Sequence, residues 1–348
     1  MIASMSLAPS RRTFLQQASG ALLSLGVGTL TSAAQSPATQ VFYDPAMLRH
    51  EPASDHPESP KRLDAVMKTV RGLEGQGRLS VVAPRPATED DILLVHTPQY
   101  LRLVRSEIAT GLRSLSTGDT EISSGSFGAA LTAAGTVVSA VDAVMTGRAR
   151  NAFCAVRPPG HHASEGRGMG FCIFNNIAIG ARHAVRRYGV ERILIADWDV
   201  HHGNGTQEVF WSDGSVLFFD THQHPWYPGT GSPAETGEGK GRGRTINRPF
   251  PAGAGRNEIL DAFRTGLVPA AERFKPELVM ISAGFDSRAG DPLGRFTLTD
   301  SDFAELTGVV AEIARQHARG RVVSVLEGGY SLDGLARAVD AHIGRLSA

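Results

Sequence analysis

Short apolar runs alternate along the chain with segments in which apolar residues recur at helical spacing. The runs are "AFCAVRP", "RILIADWDV", "SVLFFDTH", "ELVMISAGFD" and "RVVSVLEGGY". The predicted helices extend from Phe127 to Met145, from Asn176 to Tyr188, from Glu258 to Phe274 and from Asp300 to His317. Strands that alternate with helices of this length indicate βαβ units, and continuous apolar strands suit a sheet covered on both faces. The pattern therefore predicts an α/β fold with a central parallel sheet and helices on both faces.

Each apolar run ends in polar, glycine-rich residues. These ends read "RPPGHHA", "DWDVHHGNG", "DTHQHPWYPGTG", "GFDSRAGDP" and "EGGYS". In an open parallel sheet, ligands bind outside the carboxyl ends of the strands. Aspartate and histidine are costly to bury unless they are paired or bind a metal. Five strand ends of this kind predict one functional site at one edge of the sheet.

Composition narrows the class of protein. The 348 residues are 41% hydrophobic and 20% charged, and Lys+Arg and Asp+Glu balance at 35 each. This balance gives none of the global positive field that is expected of a nucleic-acid binder. Beyond the N-terminal segment, no apolar run reaches the length of about 18 residues that a transmembrane helix needs. We therefore expect neither a nucleic-acid partner nor a membrane span in the mature protein.

The N-terminus reads "SRRTFLQQASGALLSLGVGTLTSAAQ" and has the order of an export signal. Arg11 and Arg12 precede a weakly apolar stretch, which ends in the small-residue triplet 32–34. The pattern resembles a twin-arginine signal, and an ordinary basic tail is the alternative. We expect residues 1–34 to be a signal peptide, residues 35–348 to form the folded domain, and the protein to be periplasmic or secreted.

Aspartate and histidine must supply any metal site, because Cys154 and Cys172 are the only cysteines. Both lie in apolar strand-like runs, which favours buried free thiols over a disulfide.

The segment "DWDVH" has the spacing of a metal site. Asp197, Asp199 and His201 occupy alternate positions and would share one face of a strand. Asp286, at the end of "LVMISAGFD", is the best candidate for a further ligand. Three protein ligands with one open position are typical of a catalytic metal. Zn²⁺ is the leading choice for the metal, and Fe²⁺ also suits these ligands. The alternative to a metal site is a solvated turn with an ordinary pair of carboxylates.

Two further motifs offer groups that transfer protons or stabilise charge. "RPPGHHA" presents His161 and His162, and imidazole titrates near neutral pH. "LEGGY" presents Tyr330 after two glycines, where a phenol could donate to a developing oxyanion. A tyrosine in this place could equally cap the strand.

The motifs "HPESPKRL", "RPPGHHA", "DWDVHHGNGT", "YPGTG", "GFD" and "EGGY" together resemble the histone deacetylase superfamily, from about Tyr43 to the C-terminus. The "PPGHHA" form is similar to the class II branch and to bacterial acetylpolyamine amidohydrolases. The resemblance implies a single-domain arginase/deacetylase-like α/β fold and zinc-dependent removal of acetyl groups from amines.

The resemblance implies a reaction centre when the family's functional residues are matched to positions in this sequence. Asp199, His201 and Asp286 would hold one Zn²⁺ per chain. His161 and His162 would form a tandem pair, in which His162 is the better candidate for general base and then general acid.

The resemblance also implies a channel that leads to this centre. Tyr330 would polarise the substrate carbonyl, and Asp197 would contact His161 and help to bind a structural K⁺ ion. An extended aliphatic chain would pass between aromatic walls. The channel and rim residues would be Gly170, Phe171, Tyr227 and Asp119.

Two positions depart from the best-known relatives. Asn204 stands where class I relatives carry a carboxylate that partners the second histidine. An amide oxygen accepts the same hydrogen bond but does not stabilise imidazolium as a charge does. We therefore expect a lower pKa for His162 than beside an aspartate. Asp220 stands where relatives often have serine, and the sequence assigns it no role.

Two other functions are alternatives. An arginase-like ureohydrolase would need carboxylates at the positions of Gly203 and Arg288, so one metal is expected rather than two. A catalytically silent protein that binds acylated amines would be expected to lack a ligand or a proton-transfer group, and all are present. Acetyl-lysine peptides, acetylpolyamines and other acylated amines stay open as substrates, as does the oligomeric state. We expect residues 221–231 and 233–244 to form the rim.

Replacement of both Arg11 and Arg12 by lysine should retain the protein inside the cell, because the arginine pair is what the export machinery reads. Cell fractionation and immunoblotting of the wild-type and variant chains measure this. Unchanged export of the variant would show that the N-terminus is not a twin-arginine signal.

Overall fold

Eight strands form one parallel sheet in the computed structural model, which describes residues 39–348. Their order across the sheet is β2-β1-β3-β8-β7-β4-β5-β6, and every neighbouring pair is parallel. The strands are β1 Thr39–Phe42, β2 Ser80–Val82, β3 Asn151–Cys154, β4 Ile193–Asp197, β5 Val216–Gln223, β6 Thr245–Phe250, β7 Leu278–Ala283 and β8 Val322–Leu326. The predicted parallel sheet is confirmed. The expected signal peptide, residues 1–34, lies outside the described residues.

Ten α-helices within residues 39–348 connect the strands and cover the sheet. They are α1 Lys61–Gly75, α2 Glu89–Ile92, α3 Pro98–Ala109, α4 Ser126–Met145, α5 Asn176–Tyr188, α6 Asn204–Val209, α7 Arg256–Asp261, α8 Val268–Phe274, α9 Asp300–His317 and α10 Leu332–Leu346. The helices α4 and α5 pack together on one face of the sheet, and α1, α9 and α10 pack together on the other. Helices on both faces are therefore confirmed.

Local chemistry explains where the predicted helices begin and end. The Asn175 side chain accepts a hydrogen bond from the N–H of Ala178 and begins α5. Gly189 ends α5 in the left-handed region, at φ 65°. The predicted helix over residues 176–188 is confirmed. The segment over 258–274 is divided by a π-helical turn that joins α7 to α8.

The central strands are buried from both sides. Every residue of β3, β4, β5, β7 and β8 is buried. This explains why the apolar residues of these strands stand in continuous runs rather than at alternate positions. Cys154 and Cys172 are buried free thiols, as predicted. In the described part of the chain one helix, α4, is long and apolar enough to cross a membrane, and most of it is buried inside the domain.

The carboxyl ends of the neighbouring strands β8, β7, β4 and β5 meet at one edge of the sheet. Five buried acidic residues stand near this edge: Asp197 at the end of β4, Asp199, Asp286 and Glu327 just beyond strand ends, and Asp220 within β5. The opposite edge holds the end of α10. There the Leu346 carbonyl accepts hydrogen bonds from Thr39 Oγ1 at 3.4 Å and from Asn151 Nδ2 at 2.9 Å.

A buried ion cluster ties the chain before α1 to two strand ends. Glu58 accepts hydrogen bonds from Arg157 at 2.9 and 3.0 Å and from Arg62 at 3.1 Å. Arg62 also donates to the carbonyl groups of Gly329 and Glu327, at 2.7 and 2.5 Å. Burial alone would raise the pKa of Glu58, but Arg157 and its other partners lower it well below its usual range.

Replacement of Glu58 by glutamine should lower the free energy of unfolding by about 3–5 kcal/mol, because two buried guanidinium groups lose their counter-charge. Urea unfolding measures the change. Glu89→Gln is the matched control, because Glu89 and its partner Arg105 are both exposed and such pairs contribute little. A loss for Glu58→Gln no larger than the loss for Glu89→Gln would contradict the stabilising role of the cluster.

Candidate metal centre and channel

Asp199, His201 and Asp286 come together just beyond the ends of β4 and β7. One ligand atom from each residue lies within 4.8 Å of the others. His201 Nδ1 is 3.0 Å from Asp199 Oδ1 and 3.3 Å from Asp286 Oδ2. Within residues 39–348, no other three histidine, cysteine or acidic side chains are arranged in this way. We call this set the Asp–His–Asp trio.

The backbone holds both carboxylates of the trio in place. Asp199 Oδ2 accepts from the N–H of Gly328 at 2.8 Å, and Asp286 Oδ1 accepts from the N–H of Val200 at 2.9 Å. A Cβ atom at Gly328 would lie 1.9 Å from Asp286 Oδ2, so only glycine allows this approach. Asp286 Oδ2 is buried and makes no well-oriented hydrogen bond. Asp286 therefore has an oxygen atom beside His201 that can accept a further bond.

The charges of the trio suit a divalent cation. Burial, and then the Asp199 carboxylate, raise the pKa of Asp286 to about 7. Burial lowers the pKa of His201, but the adjacent carboxylates of Asp199 and Asp286 outweigh it and raise the pKa to about 10. The protein thus favours positive charge between the two carboxylates. One imidazole nitrogen and two carboxylate oxygens are a donor set that zinc accepts.

The prediction that Asp197, Asp199 and His201 share one face of a strand is wrong. Strand β4 ends at Asp197, and the other two residues lie in the loop that follows. Asp197 Oδ1 accepts from the N–H of Asp199 at 3.0 Å, and Asp199 Oδ1 accepts from the N–H of His201 at 2.9 Å. Such side-chain bonds to the nearby backbone replace the strand ladder. The Asp197 side chain consequently bonds to His161 and to the backbone of Asp199, and it is not one of the three side chains of the trio.

His161 and His162 lie side by side, with ring centroids 4.1 Å apart. His161 Nδ1 is 3.0 Å from Asp197 Oδ2, and His162 Nδ1 is 2.7 Å from Asn204 Oδ1. Asn204 Nδ2 donates to Met169 Sδ at 3.5 Å, which leaves the amide oxygen to accept from His162 Nδ1. Because His162 Nδ1 then carries the hydrogen, its Nε2 is left as an acceptor.

The two histidines have opposite electrostatic environments. Burial lowers the pKa of His161, but Asp197 and Asp199 outweigh it and raise the pKa well above its usual range. Burial, and then the neighbouring His161 and His201, lower the pKa of His162 well below its usual range. His162 is therefore the neutral member of the pair and can accept a proton.

A cavity of about 220 Å³ lies against His162 and His201. It brings together the residues predicted for the channel and the carbonyl: Asp119, Gly170, Phe171, Tyr227 and Tyr330. The ring of Tyr227 stands edge-on to His162, with centroids 5.2 Å apart. The ring of Phe171 stands edge-on to Tyr330, with centroids 5.9 Å apart. The cavity therefore has two aromatic walls.

Asp119 connects two parts of the cavity wall. Its Oδ1 accepts from the N–H of Gly170 at 2.7 Å and from the Tyr227 hydroxyl at 3.3 Å. Burial, and then Asp119, raise the pKa of Tyr227. Gly170 has φ +56°, and a Cβ atom there would lie 2.3 Å from His162 Cδ2. Only glycine lets the wall pass so close to the histidine.

The groups that hold Tyr330 in place were not predicted from the sequence. The guanidinium carbon of Arg62 lies 4.9 Å from the centroid of the Tyr330 ring. Asp291 Oδ2 accepts from the N–H groups of Tyr330 and Ser331, at 2.7 and 3.1 Å. Burial raises the pKa of Tyr330 well above its usual range, so the phenol keeps its proton. Arg62 belongs to the motif "HPESPKRL", but only the fold shows that it contacts Tyr330.

Trp226 and Leu293 also line the cavity. Trp226 lies in the predicted rim segment 221–231 but was not singled out, and Leu293 was not predicted. Trp226 Nε1 donates to the Leu293 carbonyl at 2.8 Å and joins two loops. None of residues 233–244 lines the cavity itself, so their place in the rim stays a prediction. Their glycines instead allow close backbone contact with Trp211. Residues 221–231 do contribute to the wall, as expected.

The two positions that a second metal would need supply no ligand. Gly203 has no side chain, and its backbone passes over Asp197 and Asp220. Arg288 Nε donates to Asp300 Oδ1 at 2.6 Å. The described residues therefore offer one metal centre of the arginase-like kind and not two.

Comparison with known proteins agrees with this geometry. Residues 56–346 match the histone deacetylase domain family. A probable deacetylase from Archaeoglobus fulgidus is 42% identical over 298 residues, which cover 85% of this chain and 82% of the relative. A histone deacetylase-like amidohydrolase from Pseudomonas aeruginosa is 41% identical over 288 residues, which cover 82% of this chain and 74% of the relative. The crystal structure of the HDA15 HD domain matches with a TM-score of 0.84 and 36% identity, over 90% of each chain.

These matches define an enzyme of the amidohydrolase class that acts as a deacetylase. The chain belongs to the histone deacetylase family. The single-domain fold predicted from the motifs is confirmed by the likeness to the HDA15 domain. The family is generally metal-dependent, and the Asp–His–Asp trio is the metal site that the described part of this chain offers.

Replacement of Asn204 by aspartate should move the acidic limb of the pH–rate profile to higher pH by about one unit, because a carboxylate beside His162 raises the pKa of the imidazole. A raised pKa means that His162 stays protonated, and unable to accept a proton, up to a higher pH. The measurement is kcat/KM against pH for both proteins at equal metal content. An acidic limb at the wild-type pH would contradict the assigned partnership.

Proposed function

We propose that this protein is a zinc-dependent deacetylase that removes acetyl groups from amines carried on an extended aliphatic chain. The observation that carries the proposal is one cavity of about 220 Å³ that is lined by His162, His201 and Tyr330. Asp199 and Asp286 stand directly behind His201. A proton acceptor, a phenol donor and a three-donor metal set thus surround a single small volume. A silent binding protein would need none of these three.

The chain's own residues account for the proton transfers. Zn²⁺ held by the trio would polarise the amide carbonyl and acidify a water molecule. His162 Nε2 accepts a proton from the attacking water, because Asn204 holds the hydrogen on Nδ1 and the pKa of His162 is low. His162 then returns the proton to the nitrogen of the leaving amine. The products are acetate and a free amine.

His161 and Tyr330 stabilise charge in this scheme. Beside Asp197, His161 carries a positive charge next to His162, which keeps His162 neutral until it takes its proton. Tyr330 keeps its proton at neutral pH and donates a hydrogen bond to the carbonyl oxygen as negative charge develops there. Arg62 and Asp291 hold the Tyr330 ring and backbone in place for this contact.

The cavity favours slender acylated amines as substrates. Phe171 and Tyr227 present ring faces on which methylene groups can pack. Trp226 and Leu293 make the neighbouring wall apolar, and Asp119 offers a carboxylate to a substrate N–H. An acetyl-lysine side chain in a peptide and an acetylated polyamine both suit these features.

The N-terminal sequence supports a site of action outside the cytoplasm. If residues 1–34 are a twin-arginine signal, the folded domain would load its metal before export and would not meet histones. We also propose that Asp197 helps to bind a structural K⁺ ion, and that Fe²⁺ is an alternative to Zn²⁺ in the trio.

The decisive experiment is amine release by the purified full-length protein, loaded with Zn²⁺, from an acetyl-lysine peptide and from an acetylated polyamine in parallel. Asp286→Ala is the control and should lose both bound zinc and turnover. Turnover of either substrate that disappears in the control supports the deacetylase, and the preferred substrate identifies the class. No turnover of either at one zinc per chain would oppose the proposal.

Replacement of Tyr330 by phenylalanine should lower kcat about 100-fold, because the developing oxyanion loses a donor. The zinc content should not change, since Tyr330 is not in the trio. Tyr188→Phe is the matched control, because the Tyr188 hydroxyl bonds to Asp142 and does not line the cavity. Equal activity of Tyr330→Phe and Tyr188→Phe would refute the role of Tyr330.

A further inference from the structure

Two buried carboxylates stand side by side next to the site, one at the end of β4 and one within β5. Asp197 and Asp220 are register partners on these adjacent parallel strands, and both are fully buried. Asp197 contacts His161 directly. Asp220 makes no hydrogen bond to either histidine of the pair, and the mechanism above does not use it.

Asp220 binds one group with each of its oxygen atoms. Oδ2 accepts from the backbone N–H of Gly203 at 2.9 Å, and Oδ1 lies 2.6 Å from His222 Nδ1. Because a carboxylate only accepts, His222 Nδ1 carries the proton of that bond. His222 Nε2 is buried and has no hydrogen-bond partner. The carboxylate is therefore fixed between a buried imidazole and the Gly203 backbone.

Gly203 connects Asp220 to the reaction centre. It directly precedes Asn204, which is the first residue of α6 and accepts from His162 Nδ1. A Cβ atom at Gly203 would lie 2.5 Å from Asp197 Oδ2 and 3.3 Å from Asp220 Oδ2, so this backbone passes over both carboxylates. No side chain of the residue before α6 caps the helix. The bond to Asp220 is thus a side-chain contact that fixes the backbone at the start of α6.

We propose that Asp220 is a positioning residue for His162: it fixes the Gly203–Asn204 backbone and so places the Asn204 amide oxygen against His162 Nδ1. Each histidine of the pair then depends on one of two carboxylates that are register partners on adjacent strands. Asp197 acts on His161 directly, and Asp220 acts on His162 through Asn204. The inference rests on the proposed role of His162 as proton acceptor.

Two substitutions at position 220 separate the hydrogen bonds from the charge. Asp220→Ala removes both bonds and should lower kcat about tenfold while KM changes less than about twofold, because a misplaced proton acceptor slows the reaction more than it weakens binding. Asp220→Asn keeps an oxygen for Gly203. Its amide N–H can donate to His222 Nδ1 once the proton moves to the free Nε2, so kcat should stay within about twofold of wild type. The assay uses the zinc-loaded full-length protein and whichever acetylated substrate the wild type prefers.

Asp142→Ala is the control for the loss of an aspartate–histidine contact away from the cavity, and this contact is partly buried. Asp142 Oδ1 lies 2.6 Å from His183 Nε2, and neither residue lines the cavity. This variant should keep the wild-type kcat. A fall in kcat as large as that of Asp220→Ala would show a general loss of stability and would overturn the assignment. Rescue of Asp220→Ala by added KCl would also overturn it, because Asp220 would then act through a bound cation.

Crystal structures of the two variants test the positioning independently of activity. The distance from His162 Nδ1 to Asn204 Oδ1, 2.7 Å here, should lengthen in Asp220→Ala and be retained in Asp220→Asn. An unchanged distance in Asp220→Ala would contradict the proposal. A longer distance in a protein whose wild type shows no turnover would support the positioning and count only against the proposed deacetylase function.

Discussion

The burial of negative charge at one edge of the sheet is the constraint on which the site depends. Five acidic side chains are buried there, and each would cost several kcal/mol without compensation. Backbone N–H groups of residues 160 and 161 donate to Glu327, and imidazoles contact Asp197 and Asp220. Among these carboxylates only Asp286 keeps an oxygen without a well-oriented hydrogen bond. The uncompensated charge is therefore concentrated where a cation would bind.

Positive charge from outside the sheet balances the rest of this edge. Arg62 and Arg157 are fully buried, and Glu58 neutralises only one of the two charges. The remaining charge lies near the carbonyl groups of Glu327 and Gly329 and near the Tyr330 ring. The stability of the domain and the orientation of its phenol consequently share the same side chains. A change that weakens one will disturb the other.

The sequence predicted those features that depend on local pattern. Helix α5 was predicted from apolar residues at helical spacing, and its ends are set locally by Asn175 and Gly189. The trio was found because the carboxyl ends of parallel strands converge, although hydrogen bonds within the loop, and not strand alternation, set its geometry. Arg62 could not be linked to Tyr330, since 268 positions separate them and only the packed fold brings them together. Trp226 and Leu293 lie in loops, and the spacing of apolar residues does not predict the path of a loop.

Because all strands of the sheet are parallel, its two edges differ: one holds the carboxyl ends of the strands and the other holds their amino ends. All chemistry of the site lies at the carboxyl edge, while the Leu346 carbonyl is bound to the first residues of β1 and β3 at the amino edge. A strand of five residues, such as β4, spans about 16 Å between the two edges. A tag or surface linker attached after the last helix would therefore leave the channel mouth unobstructed. The enzyme could be immobilised through that end with its cavity facing the solution.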